Sequence, residues 1–130
     1  MAYTLVVSQP MFLPWIGLFE QLQLADNFIH YDDVQLPQGR SFMSRVQIKM
    51  PSGQFWLTAP FDRKKSGKLL NQVSFSSEVD WRSKHLKTIQ YAYAKAPFFD
   101  LMFALISDIY SYSSNNLAEF NINAIQIISN

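Results

Sequence analysis

Apolar and polar residues alternate along this chain with two periods, first that of a strand and then that of a helix. Leu5-Val6-Val7-Ser8 reads as a strand, and Trp15, Leu18, Phe19 and Leu22 follow with the three, four and seven spacing of an amphipathic helix. Ala25-Asp26-Asn27 closes that helix, and Phe28-Ile29-His30-Tyr31 reads as a second strand ending at Asp32-Asp33. Strand, helix and strand within about 30 residues predict a βαβ unit with a parallel strand pair. Val46-Gln47-Ile48-Lys49 alternates like a half-buried strand, and the turn Pro51-Ser52-Gly53 joins it to Gln54 through Ala59 as a hairpin. Val73 and Phe75 form a further alternating segment.

Beyond that point the period becomes helical. Asp80 is placed to cap a helix that carries Trp81, His85, Ile89, Ala92 and Ala96 on one face and ends before Pro97. A second helix from about Phe98 is expected to bury Leu101, Met102, Leu105 and Ile109. After Ser111 to Asn116, a third presents Leu117, Phe120, Ala124, Ile127 and Ile128. The expected class is α/β: an N-terminal βαβ unit with a parallel strand pair plus a β-hairpin, then a C-terminal helical portion, in one domain over residues 1–130. Ile127 and Ile128 are still apolar at the chain's end, so that face docks on this domain, meets a partner in a homodimer, or precedes further chain.

Composition narrows the class. With 48% hydrophobic and 15% aromatic residues the chain can bury a substantial core. A net charge of +1 makes no case for duplex nucleic acid, while small anionic ligands stay open. There is no cysteine, and thus no disulfide framework or thiolate chemistry. Neither a signal peptide nor an apolar run of about 18 residues is present, so no membrane span is expected and the chain reads as soluble and cytoplasmic.

Several residues are candidates for chemistry. Gln9-Pro10-Met11-Phe12-Leu13-Pro14-Trp15 joins the first strand to the first helix, and its prolines should bias Gln9 and Leu13 toward extended geometry. The motif either presents the Gln9 side chain rigidly or forms a tight connection with an apolar plug. Asp32 and Asp33 end the second strand, where a carboxylate can serve as a base, hold Mg²⁺, or simply form a turn. Asp32 is the better candidate because it shares a face with His30 if the strand persists. His85 points inward, as a hydrogen-bonded core residue or a proton exchanger. Lys84 and Lys87 beside it can meet phosphates or merely solvate the helix. Arg45, after the loop Gln38-Gly39-Arg40-Ser41, can grip a carboxylate or phosphate or sit as a surface arginine. The Arg63 to Lys68 loop lacks P-loop spacing and reads as a weak anion site or a lid. No nucleophile elbow, HExxH, GxGxxG or Cys-His pair occurs.

Taken together, Gln9 to Gly17, Ala25-Asp26, Asp32-Asp33-Val34-Gln35, Arg45, Trp56-Leu57-Thr58-Ala59-Pro60, Trp81 to His85 and Tyr93 to Phe99 resemble the WbqC-like proteins over nearly the whole chain. The resemblance implies a bacterial role in surface-polysaccharide and nucleotide-sugar biosynthesis: a transferase or ligase joining an acyl or aminoacyl group to an amino sugar. In that setting Gln9 would orient substrate, Asp32 act as base or metal ligand, Arg45 neutralise phosphate, and His85 exchange a proton. Lys84 would add a cation, and Trp15 or Trp56 would stack on a base or sugar. Mg²⁺ or a nucleotide is the group such residues could hold. The alternative is a non-catalytic sugar-nucleotide-binding or interaction module. Two departures bear on the choice. The family tends to carry a lysine and an Asn-Arg-Asn cluster where this chain has Gln38 and Ser44-Arg45-Val46, and its members usually continue for roughly another hundred residues, a further domain's worth.

Overall fold

The computed structural model describes residues 2–14, 16–35, 41–62 and 69–129. Trp15, the 36–40 part of the loop before Arg45, and the basic 63–68 loop lie outside the described residues. The elements run β1 (Leu5–Ser8), α1 (Ile16–Leu24), β2 (Asn27–His30), β3 (Arg45–Met50), β4 (Gly53–Thr58), a 3-10 turn (Leu70–Gln72), α2 (Trp81–Tyr93), α3 (Phe99–Tyr110) and α4 (Leu117–Ser129).

β1 and β2 pair in parallel, from Leu5 opposite Asn27 to Ser8 opposite His30. Their start is pinned by Asp26, whose N–H donates to the Thr4 carbonyl at 2.8 Å while its carboxylate accepts from the Thr4 N–H at 2.6 Å. α1 crosses between the strands and buries Leu18. The antiparallel hairpin runs from Arg45 opposite Thr58 to Met50 opposite Gly53, so the loop is only Pro51-Ser52. Gly53 has φ +124, which a residue with a Cβ rarely adopts, and this is why a glycine closes the turn.

The core lies among the hairpin, the segment around Leu70 to Phe75 and the three C-terminal helices. α2 follows its sequence pattern: the Asp80 carboxylate accepts from the Ser83 N–H, and Trp81, His85 and Ile89 are buried at successive i+4 positions. Its ordered helix stops at Tyr93, ahead of the turn that leads to Pro97. α4 buries Leu117, Phe120, Ala124 and Ile125, and Ile127 and Ile128 pack against the core. The apolar end of the chain is therefore used internally and gives no argument for a dimer.

Two expectations need correction. Leu101 and Met102 are 73% and 51% exposed rather than buried, while Phe103, Ile106 and Ile109 face inward. The sequence of α3, FDLMFALISDIY, is apolar on nearly all sides, so stripes of helical period can be drawn in more than one phase. Phe98, the N-cap, takes a left-handed φ of 64, and the helix runs from Phe99. Leu13 is likewise not extended before its proline: its φ is 42. A leucine there carries about 1–3 kcal/mol of strain, held in place by surrounding contacts.

Those contacts are specific. Phe12 is 1% exposed and sits in an aromatic cluster with Trp81, His85 and Phe120. Its N–H donates to the Phe42 carbonyl at 2.9 Å. From α4, the fully buried Asn121 amide donates to the carbonyls of Pro10 (3.0 Å) and Met43 (2.8 Å), tying the β1–α1 turn to the approach to β3. Its own Oδ1 is buried without a partner. Replacing Asn121 by leucine keeps comparable volume but strips both carbonyls of their donor. At about 1–3 kcal/mol for each buried group left unpaired, less the relief of Oδ1, Asn121→Leu should lose about 1–4 kcal/mol in urea unfolding; an unchanged midpoint would mean the two bonds hold nothing.

Candidate functional site

The hairpin brings the expected binding residues together. Arg45 is opposite Thr58, and Trp56 is opposite Gln47, so Arg45 and Trp56 are diagonal neighbours on one face of the sheet. The Arg45 guanidinium carbon lies 3.6 Å from the Trp56 ring centroid, a close cation–π contact that spreads the guanidinium flat over the indole. Phe42 adds a ring 6.0 Å from Trp56.

Where β4 meets α2 there is an open depression of about 460 Å³ lined by Phe55, Trp56, Leu57, Lys84, His85, Lys87 and Thr88. Lys84, Lys87 and Thr88 follow at three- and four-residue spacing, which places them along one side of α2. The Thr88 hydroxyl donates back to the Lys84 carbonyl at 2.8 Å. Among the described residues no carboxylate lines this depression, so its character is aromatic on one wall and cationic on the other.

His85 forms the floor, 6% exposed. Its Nε2 is 2.8 Å from the Thr58 carbonyl, which can only accept, so Nε2 carries the proton. Nδ1 then accepts from the Tyr110 hydroxyl, also at 2.8 Å. Burial lowers the histidine's proton affinity, partly opposed by the Thr58 carbonyl, and burial raises that of Tyr110 far above the ordinary tyrosine range. The result is a neutral imidazole with both nitrogens engaged, linking β4 to α3 through α2.

A second group gathers at the carboxyl end of the parallel pair. The Tyr31 N–H donates to the Ser8 carbonyl at 2.7 Å, so β1 and β2 end level with one another and lead into Gln9 and, one residue further, Asp32. β2 itself stops at His30. Asp32 turns back instead, donating its N–H to the His30 carbonyl (3.1 Å) and accepting from the Asn71 N–H (2.9 Å), so it does not continue the strand face of His30. Asp33 is exposed. The His30 Nδ1 is buried with no partner, and burial depresses this imidazole's proton affinity while the charge of Asp32 partly restores it. Among the described residues no three His, Asp or Glu side chains converge as metal ligands. Mg²⁺ here would need Asp32 plus water and ligand oxygens.

Trp56, Lys84 and His85 thus line one depression, Arg45 meets Trp56 on the hairpin, Gln9 and Asp32 follow the strand ends, and Trp15 lies outside the described residues. Sequence reasoning overlooked Tyr110 and Asn121, and named His30 only as a neighbour of Asp32 on the strand. Asn121 had a visible signal, as one polar residue among the apolar positions of α4. Tyr110 had none, because its partner lies 25 residues away in the chain.

Comparison with known proteins decides the family. A model of the WbqC-like protein family matches residues 9–130. The chain belongs to the WbqC-like protein family. Over 104 residues it is 28% identical to the uncharacterized protein Rv1507c of Mycobacterium tuberculosis (strain ATCC 25618 / H37Rv), a match covering 80% of this chain and 45% of that protein. It therefore spans less than half the length of that relative. No solved structure matches it. Among the described residues no helix of this WbqC-like chain is long and apolar enough to cross a membrane.

The two depressed histidines set a pH dependence for this family member. The unfolded chain protonates them near the ordinary imidazole value of about 6.5, whereas the folded chain resists until lower pH. The unfolded state then binds more protons, so their stability contribution is complete above about 6.5 and declines as pH falls below it. Urea unfolding midpoints should drop between pH 7.5 and 5.5, and His85→Gln with His30→Gln should flatten that slope; the same slope in the double variant would contradict the assignment.

Proposed function

We propose that this chain binds a nucleotide sugar in the depression between β4 and α2, in the service of bacterial surface-polysaccharide biosynthesis. The observation that carries the reading is Trp56, which lines that depression with Lys84 and Lys87 and carries the Arg45 guanidinium over its ring, with no carboxylate among the described lining residues. An indole face suits the apolar face of a sugar or a base, and adjoining cations suit a diphosphate.

The family's chemistry, in this reading, is acyl or aminoacyl transfer to an amino sugar, by a transferase or ligase. Gln9 orients the substrate through its amide, and Asp32 is the carboxylate available as base or Mg²⁺ ligand. His85, with both nitrogens bonded within the protein, supports the Thr58 end of β4 beneath the ligand. That same engagement favours a second reading, in which this chain is a non-catalytic sugar-nucleotide-binding or interaction module. The replacement of Asn-Arg-Asn by Ser44-Arg45-Val46 points the same way: Ser44 is buried, and its carbonyl accepts from the Ala59 N–H at 2.8 Å.

Calorimetric titration with UDP, UDP-N-acetylglucosamine and a dTDP-linked amino sugar tests the ligand class. Arg45→Ala and the pair Lys84→Ala with Lys87→Ala should each weaken binding about tenfold or more, with affinity falling as salt rises. Unchanged affinity in both variants would sink the site. Turnover of a bound amino sugar with an acyl or aminoacyl donor, abolished in Asp32→Asn while binding persists, separates the enzyme from the module.

A further inference from the structure

Each strand of the hairpin turns alternate backbone groups outward, and those of β3 are only partly bonded. Ala59 N–H donates to the Ser44 carbonyl at 2.8 Å, so the antiparallel alternation turns the backbone groups of Val46 and Ile48 toward β4 and those of Arg45, Gln47 and Lys49 away from it. Two other bonds report the same phase. Lys49 N–H donates outward to the Tyr93 hydroxyl at 3.0 Å, and on the far edge the outward Thr58 carbonyl accepts from His85. α2 thus reaches both outer edges, β4 at Thr58 through His85 and β3 at Lys49 through Tyr93. On β3, among the described residues, the outward backbone groups of Arg45 and Gln47 meet no partner.

Apolar space runs along that bare edge. Two cavities of about 350 and 540 Å³ share Leu13, Val46 and Gln47 as common lining. One continues past Ile48 to Met102 on α3, the other past Phe42. The exposure of Met102 and Phe42, at 51% and 56%, places uncovered apolar surface beside the same trough.

Charge narrows the occupant. β3 and β4 read RVQIKM and GQFWLT, two cations and no acid. A second copy pairing antiparallel about Gln47 would set Arg45 opposite the other copy's Lys49, a repulsive pairing. The edge is suited to a strand of opposite charge. Residues two apart on a strand point the same way, so one face of an added strand can fill both cavities while its other face lies beside Arg45 and Lys49.

We propose that the outer edge of β3 is the docking site for an extended segment of a partner protein. It adds as a strand, with apolar side chains at alternating positions in the trough and acidic side chains between them facing Arg45 and Lys49. Backbone bonds to Arg45 and Gln47 hold it, and the cavities and cations select it. It does not rest on the nucleotide-sugar reading, although the two share the Arg45 side chain.

The probe is an acetylated, amidated heptapeptide alternating Glu and Leu, titrated into the ¹⁵N-labelled chain. Binding should shift the Arg45 and Gln47 amide signals and slow their hydrogen exchange. Gln47→Pro removes an outward N–H, which an edge strand tolerates, together with the exposed side-chain bond to Gln54, and should weaken binding at least tenfold. A peptide N-methylated on the residues that face β3 tests the same bonds without altering the protein, so it decides the matter even if Gln47→Pro misfolds. Lys49→Glu should also weaken binding and reverse its salt dependence. Equal binding of the N-methylated peptide, or of a Lys-for-Glu peptide, overturns the proposal. So does a concentration-dependent dimer that protects the same amides in the absence of peptide, which would make the occupant a second copy. Decanoate filling the trough while the peptide fails to bind would make it a small-molecule pocket and overturn the proposal equally.

Discussion

The arrangement depends on one buried amide. Asn121 reaches from α4 to the carbonyls of Pro10 and Met43, joining three stretches that the chain keeps more than thirty residues apart. Through Pro10 it holds the turn that leaves β1, and so it holds Phe12 in the aromatic cluster with Trp81, His85 and Phe120. Through Met43 it sets the entry to β3, and therefore where Arg45 begins the hairpin. A leucine amid apolar helix residues could fill the space, but only an amide can satisfy two carbonyls that folding has taken out of water.

From that anchor the two halves of the molecule acquire different chemical characters. The strand ends carry Gln9, Asp32 and the unpartnered His30 nitrogen, sewn to the 3-10 turn by backbone bonds from Asn71 and Leu70 to the Asp32 and Val34 carbonyls. The hairpin carries Arg45 stacked on Trp56, and Trp56 lines a depression with two lysines of α2. His85 belongs to both the core and the site's floor. Its two hydrogen bonds fix the distance from β4 to α3, and this rigidity keeps the wall bearing Trp56 in place. A histidine spent on architecture in this way leaves recognition to the cations and the indole.

Much of the frame was legible along the chain because it is local. The βαβ unit, the hairpin with its short loop, the Asp80 cap and the inward face of α2 all follow from periodicity and from residues whose preferences act within a few positions. The inward course of His85 was legible for the same reason. Its neutral, doubly bonded state was not, since Tyr110 and Thr58 are distant in sequence. The α3 face was misjudged because a helix apolar all round has no unique stripe, and Leu13 because its proline's local bias gave way to packing around Phe12.

By itself, then, the amino-acid sequence determined the kind and order of the elements, the family, and the residue types available for binding an anion. Those rest on short-range backbone preference and on pattern. Only the tertiary structure decided which of those residues meet: that Arg45 lies on Trp56, that Trp56 shares a depression with Lys84, that β1 and β2 end together before Gln9 and Asp32, and that α2 bonds to both edges of the hairpin. Such facts depend on packing and on hydrogen bonds between distant segments, where the gain from filling a core overrides what any short stretch prefers.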